Sequence, residues 1–181
     1  MAQPEFYSGR ILYPAIAVLV GLSTLFGLAI LPRLSSGQNE MVGKPAPSLA
    51  LPVAANGEPG ARMSLADLGG KTVILDFWAS WCGPCAAQAP ILDRLARRYG
   101  DRGLVVLGVN VDDSAEVARA YATKKGLSYP ILVDADSQSE SLYGVKVLPS
   151  IVVVDKEGRV VSYTSGLVDE GTLDELVTSL M

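Results

Sequence analysis

A chain of 181 residues with 15 Lys and Arg against 19 Asp and Glu carries a net charge of −4, and its scattered cations exclude nucleic-acid binding through a basic face. It contains no histidine, so Ser–His, Cys–His and His–metal chemistries are excluded, and its two cysteines cannot supply the four ligands of a structural zinc.

Residues 1–10 read as a short cytoplasmic N-terminus. From Ile11 through Leu31 the chain is uncharged and mostly apolar, long enough to cross a bilayer, and 11–31 is expected to be a transmembrane anchor. Arg10 and Arg33 flank it evenly, so the distribution of positive charge orients it poorly. A cleaved signal peptide is the alternative, with Gly27-Leu28-Ala29 as a small-x-small site. No cysteine follows the segment to carry a lipid. Residues 32–44, including Ser35-Ser36-Gly37-Gln38-Asn39, read as a flexible tether. That leaves 45–181 for one domain with a single core.

Val73-Ile74-Leu75-Asp76-Phe77-Trp78 is a short apolar run that reads as a buried strand. It leads through Ala79-Ser80-Trp81 into Cys82-Gly83-Pro84-Cys85. A helix follows, with Ile91, Leu92, Leu95 and Tyr99 on one face and Arg94, Arg97 and Arg98 mostly elsewhere. The two cysteines stand close enough for a reversible disulfide across one turn. Thiol–disulfide exchange is one reading of the pair. A structural staple or two buried apolar thiols is the other, although so small a loop constrains the unfolded chain little. Cys82 is expected at the helix N-terminus, where free N–H groups and the dipole favour a thiolate. Pro84 suits the first turn, because its missing N–H is not needed there. Cys85, one turn deeper, is expected to be the more shielded sulfur. This placement makes Cys82 the attacking nucleophile and Cys85 the resolving thiol.

Asp76-Phe77-Trp78-Ala79, Trp81-Cys82-Gly83-Pro84-Cys85 and Ala89-Pro90-Ile91-Leu92-Asp93 together resemble the active-site strand and helix of thioredoxins. Tyr143-Gly144-Val145-Lys146-Val147-Leu148-Pro149 resembles the segment that sets a cis-proline opposite the dithiol. Strand, turn and strand follow over residues 150–155, 156–158 and 159–163. Gly166 resembles the family glycine that lets a substrate chain approach. The resemblance covers roughly residues 70–181 and implies a substrate-binding surface of Trp81, Gly83, Pro84, Leu148, Pro149 and Gly166. It also implies a cis Leu148–Pro149 bond, where sequence alone favours a trans proline opening the next strand. Asp76 matches the acid that accepts the proton of the buried cysteine, here Cys85. Its alternative is a solvated carboxylate at a strand end, capped by the loop. Two positions depart from thioredoxins: Ala86 stands where Lys is usual, and Gly108 where a buried Lys often sits.

Between Val109-Asn110-Val111-Asp112 and Pro149 the chain is longer than a minimal thioredoxin. Residues 114–125 read as a helix with Ser114 as N-cap and Val117, Ala118 and Tyr121 toward the core. Residues 131–134 read as a strand, and 137–143 as a helical turn or two. With 104–111 these add an α–β unit to the central sheet. Asp112-Asp113 and Asp134-x-Asp136 lack the spacing of a calcium loop and read as loop and capping acids. The insertion, with Tyr129-Pro130-Ile131-Leu132-Val133-Asp134, resembles the TlpA, ResA and CcmG group of membrane-anchored thioredoxin-like proteins. The segment from Gly43 to Leu68 resembles that group's N-terminal extension, a short hairpin on one sheet edge.

The expected architecture is α/β: a thioredoxin fold with a central mixed sheet flanked by helices, an inserted α–β unit and an N-terminal extension, preceded by one transmembrane helix. The resemblance implies an extracytoplasmic thiol-disulfide oxidoreductase of the bacterial inner membrane, its C-terminal domain on the periplasmic side, working without cofactor or metal. Implied partners are disulfide-containing protein substrates, apocytochrome c in cytochrome c biogenesis being one, and a transmembrane electron donor of the DsbD or CcdA type. The Gly-Pro between the cysteines resembles the reducing members. A disulfide-donating oxidase or a non-enzymatic thiol-binding chaperone is the alternative. A peroxiredoxin would need a Thr-x-x-Cys site with a supporting Arg, and Cys82 lacks that context.

Overall fold

The computed structural model describes residues 18–20, 39–58 and 60–181. Residues 18–20 are helical; the N-terminus over 1–10, the rest of the 11–31 anchor and the tether up to residue 38 lie outside the described residues. Among the described residues no helix is long and apolar enough to cross a membrane. Asn39–Met181 form one compact unit, so residues 39–44 of the expected tether belong to it.

The strands are β1 (Ala50–Ala55), β2 (Arg62–Ser64), β3 (Thr72–Trp78), β4 (Leu104–Val111), β5 (Ile131–Asp134), β6 (Ser150–Val154) and β7 (Val160–Ser165). The helices are α1 (Gly83–Tyr99), α2 (Ala115–Lys125), α3 (Gln138–Leu142) and α4 (Glu170–Ser179). One sheet runs in the order β2-β1-β5-β4-β3-β6-β7. β3 pairs in parallel with β4 and antiparallel with β6, and β5 lies parallel to β4. The sheet is therefore mixed, as expected. The inserted α2–β5 unit extends it beside β4, and the β1–β2 hairpin continues it to that edge through the β1–β5 pairing.

Every residue of β3 is buried. A strand covered on both faces reads as a continuous apolar run rather than an alternation. Its period of two still sorts the side chains: Ile74 and Trp78 go to one core, and Val73, Leu75 and Phe77 to the other. The first core is closed by Leu92, Leu95 and Tyr99 of α1, Ala118 and Ala122 of α2, and Leu173 and Val177 of α4. The second holds Tyr143 and Val145 beyond α3, and Leu49, with Met41, Val42 and Ala46 packed against it. That N-terminal strap is anchored where the Gly43 N–H donates to Val160 O at 2.8 Å and the Val160 N–H to Lys44 O at 2.9 Å.

One helix differs from its sequence reading. Ser114 Oγ caps α2, accepting the Val117 N–H at 3.4 Å, but the buried stripe centres on Ala118 and Ala122. Tyr121 is half-buried and Val117 is exposed. Two alanines four residues apart make a flat strip that packs close to β1 and β5, and this phase turns Val117 outward.

Candidate active site

β3 ends at Trp78, and residues 79–82 form a turn closed by the Cys82 N–H donating to Ala79 O at 3.1 Å. Cys82 is the N-cap of α1, and the Cys85 N–H donates to its Sγ at 3.2 Å. Pro84 occupies the first turn, where no donor is lost. The two sulfurs are joined in a disulfide, with the Cα atoms 5.3 Å apart. Cys85 is the more covered of the pair, 2% exposed against 5% for Cys82, while the neighbouring Trp81 is 66% exposed.

Cys82 opens onto a cleft of about 300 Å³. Trp81, Gly83 and Pro84 form one wall, Lys146, Val147 and Leu148 another, and Asp112 and Glu140 complete it; Cys85 is not among the lining residues. The Leu148–Pro149 peptide is cis. Pro149 is buried beside the cleft, and its carbonyl accepts the Gly166 N–H at 2.7 Å. Gly166 has a φ of +95°, and a Cβ there would meet nothing within 4 Å. The geometry thus gathers Trp81, Gly83, Pro84 and Leu148 around Cys82, with Pro149 and Gly166 adjoining and Asp76 and Cys85 set behind. Asp112, Glu140, Lys146 and Val147 are absent from the sequence-based site, because three isolated loop residues and one polar residue of the short helix α3 carry no spacing signal. Asp134 proves to be a capping acid, accepting N–H groups from Gln138 at 3.1 Å and Glu140 at 3.0 Å.

Asp76 stands mid-strand, paired with Gly108 on β4 and Ile151 on β6. It is 1% exposed, and its Oδ1 has no hydrogen-bond partner. A solvated carboxylate at a strand end is therefore ruled out. Burial pushes the Asp76 pKa from an ordinary 3.8 up to about 7. Strand alternation puts it on the face shared by Ile74 and Trp78, the face that α1 covers.

Gly108 explains how aromatic rings come so near this acid. A Cβ at Gly108 would lie 3.0 Å from Trp78 Nε1 and 3.1 Å from Tyr129 Cε2. Trp78 Nε1 and Tyr121 OH are also buried without partners, and the Trp78 and Tyr121 rings lie 4.8 Å apart. Burial first, and the Asp76 charge second, push both Tyr121 and Tyr129 phenols up. The Ile131 side chain, whose Cδ1 would be 2.7 Å from a Gly108 Cβ, and these rings thus fill the space beside Gly108. The result is a buried acid whose pKa stands at about 7, well above an ordinary carboxylate.

A model of the AhpC/TSA family matches residues 42–163. The chain is similar to thiol-disulfide oxidoreductase ResA of Bacillus thuringiensis (strain Al Hakam), 29% identical over 158 residues, 87% of this chain and 88% of that protein. ResA of Geobacillus thermodenitrificans (strain NG80-2) is 32% identical over 139 residues, 77% of this chain and 78% of that one. Among solved structures, a protein from Chlorobium tepidum provisionally named thiol:disulfide interchange protein DsbE superposes with a TM-score of 0.71 at 29% identity, covering 80% of this chain and 99% of its own. A secreted thiol-disulfide isomerase from Corynebacterium glutamicum gives 0.69 at 28% identity, covering 75% and 84%.

Proposed function

The chain belongs to the AhpC/TSA family of thioredoxin-like proteins, and from that premise we propose that it reduces protein disulfides outside the cytoplasm through Cys82 and Cys85. The observation that carries this reading is the Cys82 sulfur, which caps a 17-residue helix, takes an N–H at 3.2 Å and opens onto a cleft. Such a sulfur is a good thiolate when reduced.

The Cys82 thiolate attacks one sulfur of a substrate disulfide, and the substrate's other sulfur leaves as a thiolate. Asp76 takes the Cys85 proton, and the Cys85 thiolate attacks Cys82 Sγ. That step releases the second substrate thiolate and leaves the Cys82–Cys85 disulfide. Two electrons pass to the substrate, so each turnover needs a donor to restore the dithiol. A transmembrane thiol transporter of the DsbD or CcdA type fits that need if residues 11–31 anchor the chain in the inner membrane, with the folded unit on the periplasmic side. Trp81, Gly83, Pro84 and Leu148 offer the surface for an extended substrate segment, with Pro149 and Gly166 supporting it. Apocytochrome c is the substrate class that the ResA likeness suggests.

Two measurements test the reading. Cys85→Ser is expected to accumulate mixed disulfides at Cys82 and Cys82→Ser to capture none; the reverse pattern would exchange the two roles. The reduction potential of the couple decides direction: a value near roughly −270 mV marks a reductase, and one near roughly −120 mV marks a disulfide donor.

A further inference from the structure

The turn that delivers Cys82 is held from the side by a carboxylate that the chemistry above does not use. Asp113 Oδ2 accepts the Ser80 backbone N–H at 2.7 Å, and Asp113 Oδ1 accepts the Ser80 hydroxyl at 2.8 Å. Asp113 Oδ2 also accepts an N–H from Asn110 Nδ2 at 2.8 Å. Asn110 is fully buried on the last rung between β3 and β4, opposite Trp78. Between the two, Asp112 adopts a left-handed φ of 61°, uncommon for a residue with a Cβ. The chain thus leaves β4 and turns sharply, and the Asp113 carboxylate bonds both the strand end and Ser80.

We infer that Asp113 is a positioning residue for the dithiol: by latching Ser80 it fixes the turn over residues 79–82, and so holds the Cys82 sulfur at the N-terminus of α1. This rests on the exchange reading above. Ser80 stands two residues before Cys82, and within the turn a single backbone bond, Cys82 N–H to Ala79 O, closes the ring. Hydrogen bonds to a carboxylate are stronger than neutral ones, so the two from Ser80 outweigh that single bond, while the one from Asn110 fixes the carboxylate itself. A helix terminus stabilises a thiolate only while the sulfur stays within the first turn. Without the latch, the sulfur exchanges helix N–H groups for water, and its pKa drifts up toward an ordinary thiol near 8.5.

A purely electrostatic role for Asp113 predicts the opposite sign. An anion close to a thiolate raises its pKa, so deleting that charge alone lowers it. The other charged groups facing Cys82 are Asp112, Glu140 and Lys146 across the cleft, with Asp76 on the sheet behind, and none of these is altered in the test.

The test is the pH dependence of iodoacetamide alkylation of the reduced full chain, with the modified cysteine identified by mass. Wild type, Asp113→Ala and Ser80→Ala are compared. Asp113→Ala is expected to raise the apparent Cys82 pKa and cut the alkylation rate at neutral pH by about three- to tenfold. Ser80→Ala keeps the charge and the backbone bond, and is expected to show a smaller rise. An unchanged or lowered pKa in Asp113→Ala overturns the latch. If that variant does not fold, Ser80→Ala decides: a raised pKa supports the latch and an unchanged one overturns it. Disulfide reduction by the wild type is followed in parallel. Its absence removes the exchange reading, while a raised Cys82 pKa still supports the latch.

Discussion

Asp76 carries its proton far longer in the folded chain than in the unfolded one. Its folded pKa of about 7 stands above the ordinary 3.8. An acid raised in this way contributes stability that is fully present below the unfolded value and is lost as pH rises through the folded one. The loss between about pH 4 and pH 7 is on the order of 4 kcal/mol for this group. Asp76→Asn should remove that slope and leave the oxidised protein more stable than wild type at pH 8. Urea titrations of both proteins at pH 5 and pH 8 check this, and identical pH slopes would dismiss it. The same variant should slow mixed-disulfide resolution at neutral pH. Cys82, Cys85 and Asp76 are legible in the sequence because each is chemically out of place: two lone thiols at a turn, and one acid in an apolar strand. Asp113 is not, because an acid after a strand is ordinary. Its meaning lies in a hydrogen bond across 33 residues of chain.

Elements read well where burial is two-sided or a cap is present. The reading of β4 over 104–111 and β5 over 131–134 agrees with the observed strands, since continuous apolar runs bounded by turns leave little else to form. The placing of β5 between β4 and β1 depends on pairing between residues some eighty apart, for which one sequence holds no local signal. The phase of α2 is also hidden, because alanine contributes little to a periodic pattern. Between elements, Gln88 ties α1 to the loop before α4: its Oε1 accepts the Val168 N–H at 2.8 Å, both groups being buried. Gln88→Met keeps the volume but strands that donor, and should cost about 1–3 kcal/mol in urea unfolding. A change near zero would mean that the loop finds another acceptor. By contrast, the pairs of Arg94 and Arg98 with Glu170, and of Arg98 with Asp174, are exposed and contribute little.

At the scale of the molecule, the fold covers one sheet face with three helices and the other with α3, the strap and the segments around them. Residues 39–44 continue a polar, turn-rich stretch in the sequence, and it is their bonds to Val160 and the packing of Met41 and Val42 against the second core that make them part of the unit. Cys82 lines the cleft and Cys85 does not. On the proposed reductase reading, the oxidised substrate and the donor that restores the dithiol both reach Cys82 through this cleft, and they cannot occupy it together. Kinetically this dictates alternation: one partner departs before the other enters, and initial rates plotted against both concentrations should give parallel reciprocal lines. Lines that converge would require both partners bound at once, and with them a second face for electron entry. Each partner should also inhibit the other at high concentration, so the throughput of the cycle is set by the ratio of the two as much as by either amount.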